Sequence, residues 1–373
     1  MPGKIAVLQA VPALFAGGVE RQTVALARHL ARRGHRSMVI SAGGPLCACL
    51  EEGGVKHLAW PIGRKSPAML ARVPALVRIL RREPVDVVLA ASRFPAWMVW
   101  LARRFMPVGH RPAFLTAVHS FYSVNLYSSI MTRGDRVVTV SRAATGYVLR
   151  NYRSMDPARI REVALGIDRG AYPHGYRPPE EWTARFLSEY PLLADRLLVT
   201  LPARFTGWKG PDRLLDLLGG LVRRGIPAAA AVCGEIPRRH RGAAHRLLER
   251  ARREGLPLVL LGHRTDIREV MAASAVVVSL SAPRPEAFGL AVLEALSLGV
   301  PVVGWDHGGV GILLREIFPQ GAVPPGRCGL LEERVASFLS RSPAVPPFPG
   351  YEIATTLEKM EEVLLESAEG SRT

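Results

Sequence analysis

Two glutamates with a fixed spacing, Glu286 and Glu294, are the residues of this sequence best suited to hold a ligand at two points. In a helix, a spacing of eight residues corresponds to roughly 12 Å at about 1.5 Å per residue. Carboxylates accept hydrogen bonds from hydroxyl groups, so this pair suits the two ends of an extended ligand that is rich in hydroxyls. An ordinary amphipathic helix with a surface glutamate would show the same residues, so the spacing alone leaves both interpretations open.

The segment that carries these glutamates has the pattern of a strand, a helix and a second strand. The β-branched run at residues 275–280 predicts a buried parallel strand, and residues 301–304 predict another. Between them, a helix is predicted to begin near Phe288 and Gly289 and to end at Gly299, with Pro301 just beyond it. The start of a helix offers free N–H groups and the positive end of the helix dipole, which favour a phosphate.

Together these features predict a nucleotide-sugar site. We expect Glu294 to contact ribose hydroxyls and Glu286 to face the sugar. The diphosphate is expected near the backbone of Phe288, Gly289 and Leu290.

Two cations, Arg204 and Lys209, lie on a predicted strand-to-helix loop between residues 197–203 and 211–222. Cations at this spacing can both reach one diphosphate and neutralise its charge. Solvated surface cations are the alternative interpretation.

The rest of the chain has the elements of two doubly wound α/β domains, which suits its 373 residues and its 48% of apolar residues. Further parallel strands are predicted at residues 4–10, 37–41, 55–60, 85–90, 114–119, 136–141, 228–233 and 258–264. We predict a first domain over 1–175, a linker over 176–195 and a second domain over 196–350. Residues 351–373 are predicted to form a helix that returns to the first domain.

Two features of the first domain lie where α/β proteins bind ligands. Gly17 and Gly18 form a turn between the first strand and its helix, and His119 ends the fifth strand. A glycine pair also suits a plain tight turn, and a lone histidine also suits a hydrogen-bonded scaffold position.

The stretch from Glu286 to Glu294 resembles the Glu-x7-Glu motif of the retaining glycosyltransferases of family four, which have the GT-B fold. Gly17-Gly-Val-Glu-Arg21 and Asp306-His-Gly-Gly309 are most similar to the bacterial branch that builds lipopolysaccharide core. The resemblance runs from about Lys4 to Gly326. It implies two Rossmann-like domains facing a cleft, and transfer of a sugar, with retention, from a nucleoside diphosphate to a glycolipid or polysaccharide. Uridine is the expected base.

The resemblance also implies roles for individual residues. Arg204 and Lys209 match the diphosphate pair of the family, Gly17 and Gly18 would lie opposite the diphosphate across the cleft, and His119 would lie near the sugar and the acceptor. The base would contact the main chain at Gly234, Gly262, His263 and Arg264. No Asp-x-Asp motif for a metal is present, so no metal or other cofactor is expected. Ile312 stands where the family commonly has a glutamate.

The net charge of +17 is concentrated in the first half of the chain. Residues 1–185 contain 27 Lys and Arg against 11 Asp and Glu, and tryptophans at 97 and 100 lie among the basic residues. This pattern suits an anionic membrane surface or a phosphorylated lipid, although a solvated arginine-rich face is an alternative. No nucleic-acid motif is present, and we expect no nucleic-acid partner.

The four cysteines lack paired metal-ligand spacing, and no apolar run reaches the length of a membrane span. We therefore expect a cytoplasmic protein at the inner face of the cytoplasmic membrane.

Three other functions are compatible with two such domains. One is a GT-B sugar-nucleotide epimerase. A second is a nucleotide-dependent dehydrogenase, which is disfavoured because no Gly-x-Gly-x-x-Gly follows the first strand. The third is a catalytically silent membrane-binding module, for which Ile312 and the basic half would be the basis.

Overall fold

The computed structural model describes residues 3–15, 17–64 and 66–370 and divides into two compact units. The first unit is the chain up to Gly166 together with the segment from Ile353 onward, and the second runs from Ile167 to Glu352. Both are built on a parallel sheet with helices, so the predicted fold class is confirmed. The boundary lies earlier than the predicted position 175.

The first unit contains, within its described residues, a seven-stranded parallel sheet with the order β3-β2-β1-β4-β5-β6-β7. Its strands are β1 Ala6–Ala10, β2 Arg36–Ser41, β3 Lys56–Ala59, β4 Val87–Ala90, β5 Ala113–Val118, β6 Arg136–Thr139 and β7 Ile160–Glu162. Its helices up to this point are α1 Gly18–Arg32, α2 Cys47–Glu52, α3 Pro67–Leu70, α4 Val73–Arg82, α5 Arg93–Arg104 and α6 Arg142–Asn151.

Helices cover both faces of this sheet, which is why its strands are continuous apolar runs. Successive strand residues point to opposite faces. Leu8 and Met38 therefore lie in one core with residues of α4 and α5, whereas Val7 and Val39 lie in a second core with residues of α1.

The second unit contains, in the part of the chain that is described, six parallel strands with the order β10-β9-β8-β11-β12-β13. The strands are β8 Leu197–Leu201, β9 Ala228–Cys233, β10 Leu258–Gly262, β11 Val276–Ser279, β12 Val302–Trp305 and β13 Ala322–Val323. The helices are α7 Glu180–Glu189, α8 Pro211–Arg223, α9 Arg241–Arg253, α10 Ile267–Ala272, α11 Leu290–Ser297, α12 Gly308–Ile317 and α13 Cys328–Arg341.

The segment predicted as a linker, residues 176–195, is not irregular throughout, because it contains α7. Trp182 and Phe186 lie four residues apart on this helix, with stacked rings whose centroids are 4.7 Å apart. Both side chains are buried in a core with residues of β9 and β10. Burial of this aromatic pair makes the helix part of the second unit.

The last helix, α14 (Ile353–Gly370), belongs to the first unit, as the sequence predicts. Leu357, Met360 and Leu364 enter the core that contains α1. Glu361 is buried there and accepts hydrogen bonds from His29 (2.7 Å) and His35 (3.0 Å). The helix thus completes one face of the first sheet.

The chain enters and leaves the second unit at neighbouring positions. Ile167 forms a parallel bridge with Glu352, and its N–H donates to the carbonyl of Tyr351 at 2.8 Å. Across the described ranges, no helix is long and apolar enough to cross a bilayer.

Candidate active site

Most of the predicted site residues follow the C-terminal ends of strands in the second sheet. The chain runs outward in one direction from β8 and in the other from β11, and these two strands are neighbours. Ligands of open α/β sheets bind at such a switch point. Arg204 and Lys209 follow β8, and Glu286 follows β11, so all three predicted residues lie on loops at this switch point.

Gly210 allows the loops that follow β8 and β11 to pack closely against each other. Gly210 has φ +86°, a conformation that other residues rarely adopt, and a Cβ there would lie 2.6 Å from the carbonyl oxygen of Leu280. The N–H of Ala282 also donates to the carbonyl of Trp208 at 2.8 Å. The loops after β8 and β11 therefore form one surface.

An ion pair joins these loops. Lys209 Nζ lies 2.8 Å from Glu286 Oε2, and the two side chains are only 16% and 24% exposed. The hydroxyl of Ser281 donates to Glu286 Oε1 at 2.9 Å. Burial raises the pKa of Glu286, but Lys209 and the hydroxyls of Ser281 and Ser279 outweigh it, so the pKa is held below its ordinary value.

The turn after β12 fixes the segment that carries Glu286. The N–H of Gly309 donates to the carbonyl of Glu286 at 2.8 Å, and a Cβ on Gly309 would clash with the backbone of Phe288. His307 Nε2 lies 2.8 Å from the carbonyl oxygen of Ser281, so Nε2 carries the hydrogen. The sequence prediction assigned His307 no role, although the Asp-His-Gly-Gly pattern contains it.

Helix α11 begins at Leu290, with Gly289 as its N-cap at φ +105° and with no side-chain cap. Its first N–H groups therefore have no capping side chain, and the phosphate position near them stays a prediction. Residues 286–289 are not helical, so the 12 Å estimate for the Glu286–Glu294 separation does not apply to this segment. Glu294 lies on α11 and is 4% exposed.

Arg204 differs from Lys209 in having no partner among the described residues. It is exposed, and it makes no side-chain hydrogen bond or ion pair with any residue that the structure describes. Its charge is thus available to a ligand.

The predicted base region combines backbone and structural roles. Gly234 donates its N–H to the carbonyl of Gly262 at 2.7 Å, and a Cβ on Gly234 would clash with the backbone of Ala203. His263 is exposed. The Arg264 side chain is engaged by Asp266 at 2.7 Å, which raises the pKa of the guanidinium, so only the backbone of Arg264 is left for a base.

Three predicted residues belong to the first unit. Gly17 is the N-cap of α1 and Gly18 is its first residue. His119 directly follows β5, and its Nδ1 is buried without a hydrogen-bond partner among the described residues. Burial lowers the pKa of His119 to about 4, so its imidazole is neutral at pH 7.

Within the described ranges, no three His, Cys, Asp or Glu side chains form a group that could hold a metal ion.

Two family models match this chain, one in each half. Residues 16–170 match "Glycosyltransferase Family 4", and residues 188–345 match "Glycosyl transferases group 1".

Curated relatives share part of the chain. A D-inositol 3-phosphate glycosyltransferase of Rhodococcus erythropolis is 29% identical over 56% of this chain and 47% of its own length. A GDP-mannose-dependent phosphatidylinositol dimannoside mannosyltransferase of Mycobacterium tuberculosis is 31% identical over 43% of this chain and 39% of its own length. The match thus spans less than half of these relatives. The expected lipopolysaccharide-core branch is not confirmed by them.

Solved structures share the fold along the whole chain. A glycosyltransferase of Rickettsia africae has a TM-score of 0.77 and 25% identity, with 98% of both chains covered. Anabaena HepE in complex with UDP and glucose has a TM-score of 0.78 and 18% identity, with 97% of this chain and 100% of that chain covered. WaaG, a lipopolysaccharide glycosyltransferase, has a TM-score of 0.69 and 16% identity, with 98% of both chains covered.

Proposed function

We propose that this chain, a glycosyltransferase by the family models that match both of its halves, transfers a sugar from a UDP-sugar to a hydroxyl group of a glycolipid or envelope polysaccharide, with retention of the anomeric configuration. The observation that carries the proposal is the Lys209–Glu286 ion pair at the switch point of the second sheet. It brings the cation expected on the diphosphate and the carboxylate expected on the sugar into direct contact.

The donor diphosphate is proposed to bind between cationic groups and a helix start. Arg204 and Lys209 would neutralise the phosphates, and the uncapped N–H groups at the start of α11, near Phe288, Gly289 and Leu290, would bind their oxygens. In this proposal these groups replace a metal ion, because their positive charge acts where the leaving diphosphate gains negative charge.

The nucleoside is proposed to extend from the diphosphate in two directions. Glu294 would accept hydrogen bonds from the ribose hydroxyls, and burial of its carboxylate supports such a role, since buried acceptors bind donors strongly. The base would contact the main chain at Gly234, Gly262, His263 and Arg264. The choice of uridine is supported by the UDP in the HepE structure, whereas the mannosyltransferase relative is GDP-mannose-dependent, so guanosine is the alternative base.

The reaction is proposed to be a front-face displacement. The acceptor oxygen bonds to the anomeric carbon on the side from which the diphosphate leaves, and the acceptor proton passes to the departing phosphate. No covalent enzyme intermediate is needed, so the protein contributes position and charge stabilisation. Glu286 orients the sugar. His119, neutral at pH 7, would act by hydrogen bonding rather than by carrying charge.

Of the two proposed classes of acceptor, the glycolipid is favoured over the polysaccharide. The names of the relatives, which include inositol phosphate and phosphatidylinositol mannoside enzymes, favour such acceptors over lipopolysaccharide core. The basic first half of the chain would associate with the inner face of the cytoplasmic membrane.

Incubation of the purified protein with radiolabelled UDP-sugars and an envelope lipid extract tests this proposal. We expect slow donor hydrolysis, and transfer of label to lipid with retention, both at least tenfold slower in Glu286→Gln. A changed sugar in the nucleotide product would instead indicate an epimerase.

Ile312 is partly exposed near the start of α12, where the family commonly has a glutamate, and it favours the alternative of a silent membrane-binding module. That alternative predicts liposome binding with neither hydrolysis nor transfer.

A further inference from the structure

A groove on the first unit, between α4 and α5, has no role in the proposed transfer reaction. Its volume is about 680 Å³, within the range of roughly 300–1,000 Å³ that is usual for ligand pockets. Buried Val73 and Val77 lie in its lining together with half-buried Leu101. Leu70 and Phe105, 50% and 69% exposed, also line it. Large apolar side chains are thus left in contact with water.

The same groove is lined by two arginines that have no acidic partner among the described residues. Arg78 and Arg81 are exposed, and neither makes an ion pair or a side-chain hydrogen bond with another residue of the described ranges. The acid nearest to them in sequence, Glu83, is already bound by Arg36 and Lys56. The helix dipole accounts for a basic last turn of α4, but it does not account for the apolar side chains beside it.

The outer side of α5 continues this mixture of apolar and cationic groups. The guanidinium groups of Arg104 and Arg133 lie 5.0 and 5.2 Å from the ring centroid of Trp100. Val108, shortly after the helix, is 77% exposed. A combination of tryptophan, exposed aliphatic groups and arginines is typical of proteins that lie in the interface of an anionic bilayer.

We propose that this groove, defined by Leu70, Val73, Val77, Leu101 and Phe105, binds one hydrocarbon chain of an anionic phospholipid. Its phosphate group is bound by Arg78 and Arg81. The apolar lining favours a ligand with a hydrocarbon chain, and the two arginines, which have no acidic partner among the described residues, favour an anionic head group. This inference rests on the proposed membrane association of the first half, but not on the transfer reaction.

Vesicle sedimentation without any nucleotide tests the cationic part. Wild-type protein is expected to bind phosphatidylglycerol vesicles and to bind phosphatidylcholine vesicles weakly. The double variant Arg78→Gln/Arg81→Gln should partition about 30-fold more weakly into the anionic vesicles, since each arginine near such a surface contributes about 1 kcal/mol. The matched control is Arg252→Gln/Arg253→Gln, an exposed pair at the end of α9 in the second unit. The control should bind like the wild type.

A second variant, Leu70→Ser/Phe105→Ser, tests the apolar part. Both side chains are largely exposed, so the variant should fold, which an unchanged circular dichroism spectrum and unchanged thermal unfolding of the whole protein would check. It should lose at least tenfold in vesicle binding, and the loss should persist in high salt, where the contribution of charges is screened. The groove proposal would be overturned if Leu70→Ser/Phe105→Ser bound vesicles as the wild type does. It would also be overturned if Arg252→Gln/Arg253→Gln lost as much vesicle binding as Arg78→Gln/Arg81→Gln. If the wild type binds neither kind of vesicle, the proposed membrane association fails as well.

Discussion

Replacing Glu286 by Gln should tighten the binding of UDP while it impairs sugar transfer. Glu286 neutralises Lys209 at 2.8 Å, so a diphosphate has to compete with a carboxylate for this cation. The amide keeps the shape and the hydrogen bond from Ser281 but carries no charge. UDP lacks the sugar that Glu286 is proposed to orient, so UDP affinity reports the competition alone.

The structure sets the size of the expected effect. The paired side chains are 16% and 24% exposed, so the pair is stronger than an exposed salt bridge but still partly screened by water. Removing the competing charge should therefore gain about 1–2 kcal/mol, a 5- to 30-fold lower Kd for UDP. Because the pKa of Glu286 is below its ordinary value, the carboxylate is ionised above about pH 4.5. The pair is lost only as the pH falls through the lowered pKa, so the gain should be constant between about pH 5.5 and 8.

Isothermal calorimetry with UDP, together with transfer assays, measures both consequences. Lys209→Met should weaken UDP binding, and Glu286→Gln should lose at least tenfold in transfer. Glu332→Gln is the matched control. Glu332 is 23% exposed and pairs with Arg224 at 2.6 Å, but it lies on α13 and not on a loop of the switch point. A Glu286→Gln protein that binds UDP more weakly than the wild type would refute competition at Lys209.

Three further predictions concern buried groups. Glu294→Ala should weaken UDP binding by about 1–3 kcal/mol in calorimetry, and unchanged affinity would remove Glu294 from the ribose. His119→Phe should make the free energy of unfolding less sensitive to acid. Because the pKa of His119 is lowered to about 4 in the fold, the unfolded chain binds the proton at a higher pH than the folded chain does. The stability of the wild type should therefore decrease as the pH is lowered from about 6.5 to about 4. Urea unfolding of both proteins across that range would show parallel curves if this were wrong. Glu361→Gln should lower the free energy of unfolding by about 2–3 kcal/mol at pH 7, because His29 and His35 lose a charged acceptor. The pKa of Glu361 is lowered in the fold, so this stability is present above about pH 4.5 and is lost below it. The difference in unfolding free energy between the wild type and Glu361→Gln should therefore narrow at acid pH. A difference that stays constant in urea unfolding at acid pH would contradict this assignment.

The parallel strands were predictable because they are buried on both faces. The run Ala228–Cys233 forms a strand over the predicted residues, since six apolar residues in sequence suit an interior strand. The strand Ile160–Glu162 has no such signal, because its three residues are only half-buried or exposed at the edge of the sheet. Helix α7 was not predicted, because the Pro, Tyr and Gly residues around it are typical of irregular structure. It forms because its aromatic side chains pack in the core of the second unit.

The sequence located the elements of the candidate site better than their contacts. Glu286 and Glu294 lie before and within the predicted helix, as expected from the glycine and proline that end it. The ion pair with Lys209 could not be predicted, because it depends on how closely two distant loops approach at Gly210. The role of His307 likewise depends on its contact with the Ser281 backbone, which no spacing within the sequence indicates.

The position of α14 affects the order in which the chain can fold on the ribosome. The second unit is one continuous segment and can complete its sheet as soon as it has been synthesised. The first unit begins earlier but finishes later, because Leu357, Met360 and Leu364 emerge only after the whole second unit. Until then, one apolar face of its sheet is incomplete and exposed to premature association, the opposite of the usual order in which the N-terminal domain matures first.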